Sequence, residues 1–220
     1  QGIDVINMSV GEPDFMTPDH VKEAGKKAID DNFSKYSPVP GYPVLREAIV
    51  KKLRQENHLD YAVSEIVVGT GGKQGVCNAI LALVNPGDEV IIPAPYWVSY
   101  PQMVKLAGGV PVIVSAGIEQ DFKITAEQLE HAITPKTKMI ILCSPSNPTG
   151  SVYSAEELES LAKVVLAHDD LFVLSDEIYE HINYIGGHCS IASCQGMKER
   201  TILCNGVSKA YAMTGWRLGW

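Results

Sequence analysis

From about residue 64 onward, short apolar segments rich in β-branched residues alternate with amphipathic segments. This alternation is typical of strands and helices that build a mostly parallel sheet with helices on its faces. The predicted strands are 65–69, 90–93, 110–114, 139–143, 171–175 and 201–204. The predicted helices between them are 72–84, 97–106, 125–132 and 154–168. Ser154 and Glu157 have the spacing of a capping box at the start of the last helix. We therefore expect an α/β fold.

The first 60 residues follow a different pattern. They predict two helices, over 18–32 and 43–58, separated by the turn-rich segment 37–41. The residues that begin at Gln1 resemble a short apolar strand. We expect residues 1–60 to form an N-terminal arm with helices and residues 61–220 to form the main domain.

The charge balance is acidic, with 18 basic and 26 acidic residues and a net charge of −8. Such a charge repels nucleic acid and anionic membranes, and no apolar run approaches the roughly 18 residues that span a bilayer. We expect a cytoplasmic protein with no nucleic-acid or membrane partner.

The five cysteines fit reduced thiols, because their number is odd and some lie in apolar segments. His181, His188, Cys189 and Cys194 are close in sequence, but they show neither a C-x-x-C pair nor an H-x₃-H spacing. We expect no metal site.

A glycine-rich turn, Gly69 to Gly75, lies between a predicted strand and a predicted helix. Free backbone N–H groups and the helix dipole at such a turn suit a phosphate. Neither common nucleotide-binding pattern fits: G-x-x-x-x-G-K-[ST] is absent, and Gln74 occupies the sixth position of G-x-G-x-x-G. An ordinary tight turn explains this segment as well as a phosphate site does.

Polar groups also follow two later strands, at the edge where open α/β sheets bind ligands. Asn147 lies in the segment 144–150, whose residue types favour an ordinary turn as well. Asp176 ends a strand three residues before Tyr179. A carboxylate buried there needs a cation, which a structural ion pair or a protonated heterocycle would provide.

Lys209 follows the last predicted strand, and Arg217 lies eight residues beyond it. A lysine in a confined site forms a Schiff base with a carbonyl, and a nearby arginine binds phosphate. A surface lysine is the commoner alternative. Together these segments supply a phosphate cradle, hydrogen-bond donors, a carboxylate and an amine nucleophile after successive strands.

Seven motifs occur in a characteristic order. They are Gly-Glu-Pro-Asp-Phe (11–15), Lys35-Tyr36, Gly71-Gly72-Lys73, Pro95-Tyr96-Trp97, Asn147-Pro148-Thr149-Gly150, Asp176-Glu177-Ile178-Tyr179, and Ser208-Lys209 through Gly215-Trp216-Arg217. In these motifs the whole chain resembles class I aminotransferases of pyridoxal phosphate fold type I, and the bacterial aspartate aminotransferases most. The resemblance implies a three-layer α/β large domain whose mostly parallel, mixed sheet is flanked by helices.

The resemblance also implies a catalytic set. Lys209 would hold pyridoxal 5′-phosphate as an imine and later move the proton between the substrate Cα and the cofactor C4′. Asp176 would keep the pyridine nitrogen protonated, which makes the ring an electron acceptor. Asn147 and Tyr179 would hydrogen-bond the 3′ oxygen, and Trp97 would stack on the ring.

The same resemblance assigns the phosphate to the amides of Gly72 and Lys73, with Ser208 and Arg217 as further partners. Tyr36 would reach the phosphate from a second subunit, which implies a homodimer.

Gly11, Lys73, Trp97 and Asn147 are the implied substrate-binding residues. Gly11 would donate its backbone N–H to the substrate carboxylate, and Lys73 would meet a distal carboxylate. We expect amino transfer between an L-amino acid, aspartate or glutamate, and a 2-oxo acid. Aromatic, alanine or prephenate substrates are the alternatives.

In the family, a small C-terminal domain follows the lysine region and supplies the arginine for the α-carboxylate. This chain ends before it, so we expect an incomplete large domain, no small domain, and little or no transaminase activity from the 220 residues alone.

Two further classes compete with this interpretation. One is a pyridoxal-phosphate-binding sensor domain of a transcription regulator, because aminotransferase-like domains also occur fused to DNA-binding helices. The other is a nucleotide-binding domain, which leaves Asp176, Tyr179 and Lys209 unexplained. We also expect a cis peptide bond before Pro148, because the backbone must turn sharply to present Asn147.

Overall fold

A computed structural model describes residues 11–220, and the apolar strand expected at Gln1 lies outside them. The strands are β1 (Glu89–Ala94), β2 (Val110–Ser115), β3 (Thr137–Cys143), β4 (Phe172–Asp176) and β5 (Thr201–Cys204). The α-helices are α1 (Asp19–Asp30), α2 (Pro43–Glu56), α3 (Gly72–Leu83), α4 (Ser99–Leu106), α5 (Ala126–Ala132) and α6 (Ala155–Leu166). The predicted alternation is confirmed, with one exception at 65–69.

The five strands form one parallel sheet in the order β2-β1-β3-β4-β5. Cys143 at the end of β3 lies beside Asp176 at the end of β4, which lies beside Cys204 at the end of β5. Three carboxyl ends are therefore level, and the loops that follow them meet at one edge of the sheet.

Alternate residues of each strand pack against opposite helical layers, as the pleat requires. Ile91 of β1 belongs to the cluster that α5 and α6 cover, where Leu129 and Leu161 are fully buried. Val90 and Ile92 of β1 belong to the cluster under α3 and α4. The three-layer α/β fold is thus confirmed.

The two helices of the arm behave differently. α2 packs on the main domain through Ile49, Val50 and Leu53. α1 has no buried residue. It approaches the main domain at Gly25, where an added Cβ would lie 2.9 Å from the indole of Trp216.

The predicted strand 65–69 is wrong. Val63–Glu65 is a 3₁₀ turn, closed by the Glu65 carboxylate, which accepts the Ala62 amide at 2.6 Å. Further along this segment, Val68 donates its amide to the carbonyl of Pro40, which lies in a loop and not in a strand. Backbone partners decide whether an apolar segment becomes a strand, and here most of them come from loops.

Gly69 alone in this segment forms a β-bridge, which lies outside the five strands. It forms an antiparallel bridge to Gly219, which bridges Gly206 on its other side. Trp220 and Asn205 also exchange amide–carbonyl hydrogen bonds of 2.9 and 3.0 Å. This antiparallel contact lies outside the five strands and connects the glycine turn to the segment that follows β5.

Two local predictions are confirmed. The Asn147–Pro148 peptide bond is cis, as are Ala94–Pro95 and Ser144–Pro145. The capping box of α6 is present, since Ser154 Oγ accepts the Glu157 amide and Glu157 accepts the Ser154 amide. Between residues 11 and 220, no helix is both long and apolar enough to cross a membrane.

Candidate active site

A cavity of about 340 Å³ opens at the carboxyl edge of the sheet. Ten of the residues predicted for the site line it: Gly11, Gly72, Lys73, Trp97, Asn147, Asp176, Tyr179, Ser208, Lys209 and Arg217. Tyr36 is absent from this lining and is fully exposed. The chain thus brings together every predicted site residue except the one expected to act in a second subunit.

Lys209 is half-buried on the loop that follows β5. Its Nζ donates to the carbonyl of Gly11 and lies 5.9 Å from the centre of the Tyr179 ring. Burial lowers the pKa of the Lys209 amine, Arg217 lowers it further, and Glu12 opposes both. A lowered pKa increases the neutral fraction of the amine, which is the nucleophilic form.

Asp176 is only 7% exposed at the end of β4. Tyr100 donates its hydroxyl to Asp176 Oδ2 at 2.7 Å, and the Ile178 amide donates to Oδ1 at 3.3 Å. Burial raises the pKa of Asp176, while these two hydrogen bonds lower it and partly offset the effect. Its contacts with described residues are therefore hydrogen bonds rather than an ion pair.

Two groups that the sequence analysis did not assign, Tyr100 and Cys143, also line the cavity. Burial and the charge of Asp176 raise the pKa of Tyr100 well above its usual value, so its hydroxyl stays protonated and donates. Burial raises the pKa of the Cys143 thiol to about 12, which leaves it protonated at neutral pH. Cys143 is therefore unsuited to act as a nucleophile.

Aromatic and amide groups line the walls. The Trp97 ring meets Tyr100 edge-on at 5.4 Å, and Lys73 Nζ lies 5.3 Å from the Trp97 ring centre. Burial raises the pKa of the Tyr179 phenol, and the adjacent Asn147 side chain partly offsets this. The cavity therefore offers a flat aromatic surface together with amide and phenol donors.

The glycine turn forms one end of the cavity. Gly71 has φ of +88°, which glycine adopts without strain, and a Cβ on it would collide with the guanidinium of Arg217. The first α-helical bond of α3 runs from the Gly75 amide to the Gly71 carbonyl, so the amides of Gly72 and Lys73 precede it. This end of the cavity combines amide donors with a cation and suits a phosphate.

Two hydrogen bonds near the cavity, which the sequence analysis missed, connect the first described residues to the segment after Lys209. Thr214 donates its hydroxyl to Glu12 Oε1 at 3.0 Å, and Thr17 donates to the carbonyl of Ala212 at 2.6 Å. Both pairs are about 200 residues apart, so only the folded chain reveals them. They fasten the segment that contains Gly11 onto the Lys209 loop.

A carboxylate–histidine cluster lies outside this cavity. Ligand atoms of Glu177, Glu180 and His188 lie within 4.8 Å of one another. Ser175 and Ser190 donate to Glu177 at 2.8 and 2.6 Å, and His188 lies 2.8 Å from its other oxygen. Because these oxygens already have partners, we assign the cluster a structural role.

Comparisons with known proteins find similar sequences that cover this chain. The family described as "Aminotransferase class I and II" matches residues 3–220. Aspartate/prephenate aminotransferase of Cereibacter sphaeroides is 54% identical over 221 residues, which cover 100% of this chain and 55% of the relative. Aspartate aminotransferase of Bacillus sp. (strain YM-2) is 52% identical, with coverage of 100% and 56%.

Solved structures give the same result. Thermus thermophilus aspartate aminotransferase with maleate superposes with a TM-score of 0.95 and 49% identity over 99% of this chain and 56% of that one. The aromatic aminotransferase from Pyrococcus horikoshii OT3 superposes with a TM-score of 0.95 and 47% identity, over 98% and 58%. The chain spans just over half the length of the relatives it matches.

Proposed function

Because the chain belongs to the class I and II aminotransferase family, we propose that its cavity binds pyridoxal 5′-phosphate and serves amino transfer. One observation carries this proposal above the others: an amine of lowered pKa and a buried carboxylate without an ionic partner among residues 11–220 share one cavity. A structural ion pair was the competing explanation for Asp176, and its observed partners are two neutral donors. A protonated heterocycle would provide the missing cation.

The residues present fit this cofactor at each of its groups. Lys209 offers the amine, Trp97 the aromatic face, and Asp176 the anion for a ring nitrogen. Asn147 and Tyr179 would donate to the ring oxygen. Gly72, Lys73, Ser208 and Arg217 would hold the phosphate, as the glycine turn and the adjacent guanidinium suggest.

When bound, pyridoxal phosphate supplies an aldehyde that combines with amines and a ring that accepts the electron pair left at Cα. The chain's own residues then have defined tasks. Lys209 removes and returns the proton at the substrate Cα, because its amine lines the cavity and has a lowered pKa. Asp176 holds a proton on the ring nitrogen, and Gly11 orients the substrate carboxylate.

We propose an acidic L-amino acid, aspartate or glutamate, as the amino donor and a 2-oxo acid as the acceptor. Lys73 supports this choice, since its ammonium stands over Trp97 at the cavity wall. A prephenate or aromatic substrate is the alternative, because relatives and neighbours carry those names. In the full-length protein, replacing Lys73 with Ser should raise the KM for aspartate far more than the KM for alanine. Equal effects would contradict the acidic substrate.

The proposal extends to assembly and domain layout. Residues 61–220 would form the cofactor domain and residues 1–60 the arm. The exposed Tyr36 would complete the phosphate site of a second copy in a homodimer. Its full exposure outside the cavity supports this arrangement. We also propose that the protein is cytoplasmic.

The deciding experiment is absorbance of the chain after incubation with pyridoxal phosphate and dialysis, followed by borohydride reduction and peptide mapping. We expect a visible imine band and a reduced adduct on Lys209. Lys209→Ala should lose the band, and Lys136→Ala, at an exposed lysine outside the cavity, should keep it. A band that survives Lys209→Ala would refute the proposed site.

A further inference from the structure

Tyr100 donates the shorter of the two hydrogen bonds to Asp176, the carboxylate on which the proposed function depends. The hydroxyl lies 2.7 Å from Asp176 Oδ2, against 3.3 Å for the Ile178 amide on Oδ1. Tyr100 is only 2% exposed and is the second residue of α4. A bond from such a buried donor to a buried carboxylate is strong, because water has little access to either partner.

The same side chain also contacts the aromatic wall. The Tyr100 and Trp97 rings meet edge-on at 5.4 Å, and the Tyr100 amide donates to the Trp97 carbonyl at 3.1 Å. One residue therefore fixes two groups that differ in chemistry and lie 79 residues apart in the sequence.

We infer that Tyr100 is a positioning residue that holds the Asp176 carboxylate ionised and oriented toward the ring nitrogen of the cofactor. This inference rests on the proposed function. Burial raises the pKa of Asp176, and the Tyr100 hydroxyl is the first influence that opposes it. Without this donor, the ionised carboxylate loses its strongest partner, and a ring cation gains less from binding beside it.

A purely structural role is the competing explanation, because any buried phenol needs a hydrogen-bond partner. The two roles differ in what the loss of the hydroxyl does to cofactor recognition. A positioning residue acts through the ring nitrogen alone, whereas a structural residue acts on every ligand of the cavity.

The test compares two ligands on cofactor-free protein: pyridoxal phosphate and an analogue with carbon in place of the ring nitrogen. Dissociation constants are measured by tryptophan fluorescence for the unchanged chain, Tyr100→Phe and Tyr153→Phe. Tyr153 is the matched control, because it is a buried tyrosine whose hydroxyl accepts the Ile124 amide at 2.9 Å. Thermal unfolding of each cofactor-free protein confirms that it is folded.

We expect Tyr100→Phe to weaken pyridoxal phosphate binding about tenfold and to leave the analogue unchanged. Tyr153→Phe should leave both constants unchanged. In an Asp176→Asn background, Tyr100→Phe should have no further effect on pyridoxal phosphate, because the two residues act as one unit.

Three outcomes would overturn the inference. If Tyr100→Phe weakens both ligands equally, or neither, Tyr100 is structural and the proposed function stands. If the effects of Tyr100→Phe and Asp176→Asn on the binding free energy add, Tyr100 does not act through Asp176. If the unchanged chain binds neither ligand, the proposed function fails and the inference fails with it.

Discussion

Arg217, Glu12 and Gly11 surround the amine of Lys209. Burial and Arg217 lower the pKa of its amine, and Glu12 raises it, with a lowered pKa as the net result. The Gly11 carbonyl accepts the same amine. Lys209 therefore forms its reactive neutral state at lower pH than a free lysine does.

Glu12→Gln should shift this balance further. Removing an anion that raises the pKa of Lys209 lowers it, so the pH profile for imine formation with pyridoxal phosphate should move to lower pH. Stopped-flow absorbance across a pH series measures the shift. Glu23→Gln, which changes an exposed glutamate of α1 paired with Lys26, is the control and should not move the profile. A shift to higher pH would contradict the assigned influence of Glu12.

The sequence identified site residues that carry a recognisable pattern and missed those defined by contact. Asp176 and Lys209 could be predicted because each follows a strand, and parallel strands bring such positions together. Tyr100 is an unremarked helix residue until the fold places it against a carboxylate 76 positions away. Glu12 belonged to a quoted motif, yet its partner Thr214 is separated from it by 202 residues.

At the scale of elements, the start of α3 determines the shape of the phosphate end. Gly71 precedes the helix with φ of +88°, and Arg217 fills the space that a side chain would take. The sequence alone left this turn undecided between a tight turn and a phosphate site. The contact with Arg217 is what favours the phosphate site.

Gly71→Ala should weaken pyridoxal phosphate binding strongly, because the new Cβ displaces Arg217 as well as straining the turn. Gly87→Ala separates the two effects, since Gly87 has φ of +90° and open space around its Cβ position. Both variants should lose about 1 kcal/mol or more of stability from backbone strain. Equilibrium binding should change in Gly71→Ala only, and a matching loss in Gly87→Ala would assign the effect to strain.

The capping box of α6 gives a prediction that concerns stability alone. Ser154→Ala removes the oxygen that accepts the Glu157 amide and should lower the free energy of unfolding by about 1 kcal/mol. Urea denaturation measures this loss. Cofactor affinity should stay constant, because α6 covers the sheet face opposite α3 and α4. A Ser154→Ala variant with normal stability and weakened binding would contradict this assignment.

Predicted strand 65–69 shows where pattern reading fails. Its apolar residues suited a strand, but a strand forms only where its backbone N–H and C=O groups pair with those of a neighbouring strand. The Glu65 carboxylate instead accepts the Ala62 amide and closes a turn, and within 65–69 only Gly69 forms a β-bridge. The five predicted strands that pair with one another are present. The segment 65–69, which bonds to loops, is not a strand.

At the scale of the molecule, Glu180 joins three parts of the chain. It is buried and accepts hydrogen bonds from Lys52, from Asn57 at 2.6 Å and from Asn205 at 2.8 Å. Lys52 lies on α2 and Asn205 follows β5, while Glu180 itself adjoins Tyr179. Glu180 therefore connects α2 to the loops that follow β4 and β5.

Glu180→Gln should destabilise the protein by about 3 kcal/mol at pH 7, because the largely buried Lys52 then keeps only Glu56, at 3.7 Å, as an ionic partner. Burial alone would raise the pKa of Glu180, but Lys52 and Asn57 bring it below the usual 4.5. A carboxyl with a depressed folded-state pKa contributes its full stability above the unfolded value and loses it as the pH falls through the folded value. The difference between variant and unchanged chain should therefore shrink below pH 4.5.

Urea unfolding at pH 7 and in a series below pH 4.5 tests this prediction. Glu23→Gln serves as the control, because its ion pair with Lys26 is exposed and solvent screens it. A destabilisation of Glu180→Gln that stays constant down to acid pH would show that the loss is one of packing rather than charge.

The antiparallel contact of Gly219 with Gly69 has a consequence for how the protein is made. Arg217 and Thr70, which meet beside it, are 147 residues apart. At roughly 5–20 residues per second, a ribosome needs about 7–30 s to synthesise that interval. Until Gly219 leaves the exit tunnel, the glycine turn lacks its closing segment and the lysine loop its neighbour. We therefore expect the proposed cofactor to bind only after the ribosome has synthesised the chain through Gly219.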